Sequence, residues 1–213
     1  MSDVVLYDYW RSSASYRVRI ALNLAGIEYR AVSVDLVKGD HRQADHLSRN
    51  PQGLVPVLDI DGIRLTQSLA ILDYLDRTRQ MGLLPEEPAQ RASAQALAYS
   101  IAVDVHPVCN LSVARHAAQL AQGAGDMPGD WMRHFIRPGL LAFEALMSQF
   151  PQSLYCTGPT PGLADICLIP QLYNAHRWGV DLSDLPRCLE VEELCNSQPA
   201  FAAAHPDLHA PRL

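Results

Sequence analysis

The sequence is poor in positive charge, in cysteine and in long apolar runs. Seventeen Lys and Arg stand against 23 Asp and Glu in 213 residues, a formal net charge of -6. Nucleic acids and anionic membrane surfaces select clustered Lys and Arg, so this balance argues against them, and any anion site must be local. No stretch is long and apolar enough to span a bilayer. The opening "MSDVVLYDYW" lacks a basic start followed by an apolar run, so no signal peptide is read and a cytoplasmic location is expected. The five cysteines, Cys109, Cys156, Cys167, Cys188 and Cys195, are odd in number, form no CxxC pair and fall in the second half. That usage suits reduced, buried thiols rather than a disulfide framework. His106 and Cys109 have a spacing that could serve zinc, but no second pair accompanies them and no metal is expected.

What is present is a hydrophobic fraction of 48%, enough for one large core or two modest ones. The first eighty residues mix strand and helix signals. "VVLYDY" reads as a strand, and after Ser13 the residues Tyr16, Ile20 and Leu24 recur at helical spacing before Gly26, a C-terminal stop. "EYRAVSVDL" alternates, with Val32, Val34 and Leu36 on one face, giving a second strand. A polar segment with room for a short helix follows. Asp61–Gly62 between "VPVLDI" and "IRLTQ" then signals a hairpin, and a helix starts at Ser68.

Beyond "RTRQMGLLPEEPAQRAS" the strand signals cease and Ala- and Leu-rich helical stretches take over. The expected organisation is an α/β domain over 1–81, a linker over about 82–88, and an all-helical domain over 89–213. Helices are expected at Ala89–Leu120, Trp131–Met147, Leu163–Arg177 and Leu185–Asn196, with Pro107 and Pro138 bending or interrupting the first two.

Three places in the first domain could hold an anionic, peptide-like ligand. Ser12 and Ser13 stand at a helix start, where unpaired N–H groups and partial positive charge favour an anion. Gln67 and Ser68 stand at another. Val55, before Pro56 at the opening of the third strand, offers a strand edge to which an extended ligand could add. Each also has a plain structural reading, as a cap or as a strand-opening proline. The set of three in one small α/β unit carries the signal.

The stretches "RSSASYRVRIAL", "NPQGLVPVL", "QSLAILDYL" and "GLADICLIPQLYNAHRWGVDL" resemble the zeta class of the glutathione transferase superfamily, over essentially the whole chain. The resemblance implies a thioredoxin-like βαβαββα-type domain, a C-terminal all-helical domain, a homodimer and bound glutathione. It makes Ser12 the partner of the glutathione sulfur, with Ser13 beside it. Val55 with Pro56 would meet the cysteinyl unit, and Gln67 with Ser68 the γ-glutamyl carboxylate. Gln52 matches a glutathione-contacting position, as do His41, His106 and Asn110. Arg11 and Arg177 match the carboxylate clamps of a substrate, although Arg177 also suits a helix C-terminus. Tyr9 is placed at the pocket, Tyr7 is read as structural, and Arg17 and Arg19 are left as packing or surface charges.

The activity implied is reversible addition of the glutathione thiolate to a small cis-unsaturated diketo dicarboxylate, isomerising maleylacetoacetate to fumarylacetoacetate in tyrosine and phenylalanine catabolism. The same chemistry on maleylpyruvate is the nearest alternative, followed by general conjugation or α-haloacid dehalogenation. Two departures from the class pattern stand out. Ala14 occupies the place of its usual cysteine, so no protein thiol can act there. Gly162 replaces the usual Thr three residues before Asp165, which removes half of a capping box.

Overall fold

The computed structural model describes residues 4–121 and 126–211. Contacts divide the chain into one unit made of Met1–Met81 with Gln198–Leu213, and another made of Gly82–Ser197.

The first unit opens with β1 (Val5–Asp8), α1 (Ser13–Leu24) and β2 (Arg30–Ser33). A single 3-10 turn, Asp40–Arg42, and α2 (Ala44–Arg49) fill the polar connection. Then come β3 (Val57–Ile60), β4 (Ile63–Thr66) and α3 (Ser68–Arg79). The sheet order is β2-β1-β3-β4, with β1 parallel to β2 and antiparallel to β3, and β3 antiparallel to β4. This is the mixed sheet of a thioredoxin-like domain. The β3–β4 turn has φ of 52° at Asp61 and 78° at Gly62. Two positive φ values in a two-residue loop match the right-handed twist of the strands, which is why an Asp-Gly pair sits there. Leu6, Leu58, Ile20, Leu22, Ile71, Leu72 and Leu75 are fully buried between the sheet and the helices.

The second unit holds α4 (Pro88–Tyr99), a π-helical stretch Ser100–Val105, α5 (His106–Val108), α6 (Leu111–Leu120), α7 (Met127–Met147), α8 (Leu163–Arg177) and α9 (Pro186–Ser197). The helix expected over Ala89–Leu120 is thus divided, with a bend of 41° between its two parts. The chain widens to π pitch just before Pro107, which has no N–H to give and whose ring crowds the preceding turn. Pro138, by contrast, does not interrupt α7. Both Pro138 and His134, whose carbonyl loses its donor, lie on the exposed face, where water can replace the missing bond. At the next residue, α7 approaches the π-helical stretch so closely that a Cβ on Gly139 would lie 2.2 Å from Val105 Cγ2.

Gly162 caps α8 without a side chain. Asp165 accepts from the Gly162 N–H at 2.8 Å and from the Cys156 N–H at 2.9 Å, while the Leu83 carbonyl takes the Leu163 N–H at 2.9 Å. The carbonyl at residue 83 thus does part of what a capping hydroxyl would do. A Cβ at Gly162 would lie only 3.0 Å from that oxygen, so the small residue and the substitute cap go together.

The segment after α9 returns to the first unit as α10 (Pro199–Ala204), packed on α1, followed by a 3-10 turn, Pro206–His209. The helical domain expected over 89–213 is therefore shorter, because α10 packs on α1 and the contacts group the chain from Gln198 with the first unit. Asn23 Nδ2 donates to the Ala200 carbonyl at 2.9 Å and Arg19 Nε to the Ala204 carbonyl at 3.0 Å. Arg19 is no surface charge. Its guanidinium is fully buried, with Nη1 on both Asp8 oxygens at 2.9 and 2.7 Å and Nη2 on the Trp10 carbonyl at 3.0 Å. A buried cation is tolerable only when its donors are met in this way.

Candidate active site

The strand register gathers one end of the sheet. Tyr7 pairs with Val57 and Val57 with Thr66. The residues that leave β1 (Tyr9 to Ser12), those that enter β3 (Val55, Pro56) and those that leave β4 (Gln67, Ser68) therefore share that end. The three sequence candidates are brought together by hydrogen-bond register alone.

Ser12 is the N-cap of α1, with extended backbone (φ -71°, ψ 120°). Its Oγ accepts from the Ser15 N–H at 3.2 Å, and its carbonyl accepts the Tyr16 N–H at 2.8 Å. A serine hydroxyl has one hydrogen to donate besides its lone pairs. Capping uses only an acceptor site, so the same oxygen can cap the helix and donate to an anion. Ser13 and Ala14, next in the chain, are buried, and Tyr9 is buried with its ring tilted against Trp10 at 6.3 Å between centroids. The neighbouring Arg11 stacks over Trp10 at 4.3 Å, and its buried Nε finds no hydrogen-bond partner among the described residues. Such a donor is costly unless an acceptor arrives from outside.

The loop before β3 is tied from several sides. Asn50, 3% exposed, donates from Nδ2 to the Leu54 carbonyl at 2.9 Å and accepts the Gln52 N–H on Oδ1 at 3.1 Å. His46 Nε2 lies 3.0 Å from the same Leu54 carbonyl, so that nitrogen carries the hydrogen. Gly53, at φ 62°, closes the turn by donating to the Asn50 carbonyl, and its α-carbon approaches the His41 backbone so that a Cβ would lie 3.1 Å from the His41 carbonyl. Val55 follows in a bend outside the ladder, which begins at Val57, and the Val55–Pro56 peptide is cis.

Gln67 and Gln52 meet directly, Nε2 to Oε1 at 2.9 Å. Gln67 has φ 66° and ψ 110°, a conformation that L-residues other than glycine rarely adopt and that is held only where the surroundings determine it. Ser68 opens α3, is 5% exposed, and its Oγ accepts from Arg17 Nε at 3.1 Å. Arg17, read from sequence as packing or surface charge, is buried beneath this helix start.

The remaining candidates belong to the second unit. His106 opens α5 directly after the π-helical stretch and is half-buried. Asn110 is the N-cap of α6 through Oδ1, which accepts from the Ser112 N–H at 3.1 Å. The carbonyl of Val108, between them, is held by Trp131 Nε1 at 3.0 Å. Arg177 lies exposed in the last turn of α8, with Nη1 on Asn174 Oδ1 at 3.3 Å and its guanidinium over Trp178 at 5.2 Å.

Residues 2–77 match the family model of the glutathione S-transferase N-terminal domain. A maleylacetoacetate isomerase of Rhizobium meliloti (strain 1021) is 54% identical over 214 residues, covering 99% of each chain. The holo structure of a maleylpyruvate isomerase, a bacterial glutathione S-transferase in zeta class, is 36% identical and superposes at a TM-score of 0.91, covering 95% of this chain and 96% of that one. The chain belongs to the zeta-class glutathione transferases. Another structure, a maleylacetoacetate isomerase of Methylobacterium extorquens AM1 with bound malonate and GSH, is 41% identical, with a TM-score of 0.90 over 97% of this chain and 98% of that one.

Within this zeta-class chain, sequence reasoning missed Arg17, His46 and Asn50. Asn50 carried a signal, because Asn-Pro marks a turn whose Asn side chain bonds the backbone two residues on. Arg17 and His46 carried none. All five cysteines lie within Gly82–Ser197, so the first unit has no thiol of its own. Burial also pushes the Cys109 thiol up to about 11, and raises those of Cys156, Cys188 and Cys195 as well.

Proposed function

We propose that this protein is a glutathione-dependent cis–trans isomerase that converts maleylacetoacetate to fumarylacetoacetate, using glutathione as a cofactor that is returned unchanged. The observation that carries the reading is the double duty of Ser12, whose oxygen caps α1 while its hydrogen remains for a sulfur. The kinship with maleylacetoacetate isomerases supports the choice of substrate.

Bound glutathione supplies a thiolate, which adds reversibly to the conjugated cis double bond and so permits its rotation. The chain's part is to hold and ionise that thiol. A thiol of pKa about 8.5 is mostly protonated at neutral pH. A hydrogen bond to a charged group, roughly 1.5–3 kcal/mol, lowers the pKa by about one to two units, and the α1 terminus adds to it. Ser12 donates this bond, with Ser13 beside it. Val55, ahead of Pro56, presents its backbone to the cysteinyl unit as an added strand would. Ser68 and Gln67, the latter braced by Gln52, receive the γ-glutamyl carboxylate at the start of α3. His41, His106 and Asn110 complete the cofactor contacts.

Arg11 takes a substrate carboxylate through the Nε that lacks a partner among the described residues, and is placed to stabilise charge developing beside Ser12. Arg177 orients the other end. The unit of action is a homodimer in the cytoplasm, the dimer by class likeness and the location by the five free, buried cysteines.

The test is ultraviolet monitoring of maleylacetoacetate isomerisation with catalytic glutathione, with maleylpyruvate in parallel. Turnover well beyond the glutathione supplied, faster on maleylacetoacetate, is expected. Glutathione consumed in step with turnover would mean conjugation instead. A faster reaction with maleylpyruvate would favour the reading that the 0.91 structural likeness to a maleylpyruvate isomerase supports. Sedimentation at monomer mass would refute the dimer.

A further inference from the structure

One buried cation has no place in this account. Arg17 lies in the middle of α1, 2% exposed, and spends its Nε–H on Ser68 Oγ, 51 residues away at the first position of α3. Burying a guanidinium costs several kcal/mol unless its donors are satisfied, so a hydrophobic residue would be the cheaper way to fill this gap between α1 and α3. The contact gives something that packing alone does not.

A serine hydroxyl rotates freely and can donate to whichever acceptor lies nearest, including the carbonyls of its own chain. Arginine can only donate. With the Arg17 N–H on one lone pair of Ser68 Oγ, the hydroxyl hydrogen is turned to another direction and the oxygen is fixed beside the α3 terminus. Ser68 is thereby set as a donor at a point where N–H groups of the helix start already favour an anion.

We infer that Arg17 is a positioning residue for the cofactor, which orients Ser68 toward the γ-glutamyl carboxylate and makes α1 the reference for both ends of the tripeptide. Ser12 at the cap of α1 meets the sulfur, and Arg17, five residues on and about 7.5 Å along the axis at 1.5 Å per residue, sets the group that meets the carboxylate. One rigid helix thus fixes the distance between the two recognition points. The inference rests on the reading that glutathione binds here with its γ-glutamyl end at Ser68.

The experiment is calorimetric binding of glutathione and of cysteinylglycine, which lacks the γ-glutamyl group, to the full-length wild type, R17M, R17Q, S68A and R17M/S68A. R17M is expected to weaken glutathione about tenfold, as loss of one charge-assisted bond would, and cysteinylglycine less than twofold. R17Q, which keeps an N–H donor without the charge, is expected to recover part of the loss. The double variant should bind glutathione no more weakly than S68A, because Arg17 acts through that hydroxyl. Equal losses for both ligands in R17M, or additive losses in the double variant, would reduce Arg17 to a packing role. If R17M does not fold, R17Q and the cycle R17Q, S68A and R17Q/S68A carry the same comparison. A wild type that binds no glutathione would overturn the functional reading together with this one, whereas a wild type that binds tightly beside an unaffected R17M would overturn this inference alone.

Discussion

Ser12 does two jobs with one oxygen, and substitutions can separate them. Ser12→Ala removes both the acceptor that holds the Ser15 N–H at 3.2 Å and the hydrogen offered to the sulfur. The lost cap is worth about 1 kcal/mol of stability, and the lost donor about one to two units in the pKa of bound glutathione. Ser12→Gly removes the same hydrogen, but glycine at an N-cap costs only a few tenths of a kcal/mol relative to serine. The two variants are therefore expected to differ in stability and to agree in chemistry. Urea denaturation measures the first quantity. Ultraviolet difference titration of the enzyme–glutathione complex measures the second, with the rise in thiolate absorbance moved about one to two pH units upward in both variants and the turnover at neutral pH falling in parallel. Sign and window follow from the direction of the shift: at a pH well above the raised thiol pKa the variants recover ionised cofactor, and the deficit is largest near neutrality. A glycine variant that kept the wild-type titration would refute the argument, and would move the activating role to Ser13 or Tyr9.

Three further outcomes are expected. Gly139→Ala should destabilise the chain by about 1–3 kcal/mol in urea, because the new Cβ would lie 2.2 Å from Val105 Cγ2 and either α7 or the π-helical stretch must shift; wild-type stability would contradict that contact. Asn50→Ala should raise the glutathione concentration for half-maximal rate several-fold, since it releases both the Gln52 N–H and one donor to the Leu54 carbonyl, and an unchanged value would mean His46 suffices. The cysteines should react slowly with a disulfide reagent at pH 8 and fully on denaturation. The folded-state pKa values of Cys109, Cys156, Cys188 and Cys195 are raised, so the protonated, unreactive form of these four persists, and the stability that this lends is complete below the ordinary thiol pKa and lost as pH climbs toward about 11 for Cys109; prompt native reactivity of most thiols would refute this.

Features written in local sequence were legible, and those that depend on partners far along the chain were not. The Asp61–Gly62 hairpin, the start of α3 at Ser68 and the bounds of α8 follow from turn chemistry and periodicity, and the structure has each of them. The two internal prolines show the limit of that method. The letter is the same at 107 and 138, but one follows a change of pitch and the other lies on the outer face of an unbroken helix. Arg17 and Arg19 look like surface charges in any window, because one group that each of them binds, Ser68 Oγ and the Ala204 carbonyl, is 51 and 185 residues away. Of the candidate site, the three anchor points were readable as helix starts and a strand edge. The Gln52–Gln67 bond and the left-handed backbone of Gln67 were not, since glutamine carries no preference for either.

The pairing of Arg19 with the Ala204 carbonyl also fixes an order of events. A ribosome adds roughly 5–20 residues per second, so a chain that has just emitted Arg19 needs on the order of ten to forty seconds to supply Ala204. Through that interval the guanidinium has Asp8 and Trp10 within reach but lacks its third acceptor, and the surface of α1 that Phe201 covers stands open. The half of the molecule that is translated first is accordingly the half that is finished last, and a nascent chain stalled short of α10 would expose it to chaperones and proteases.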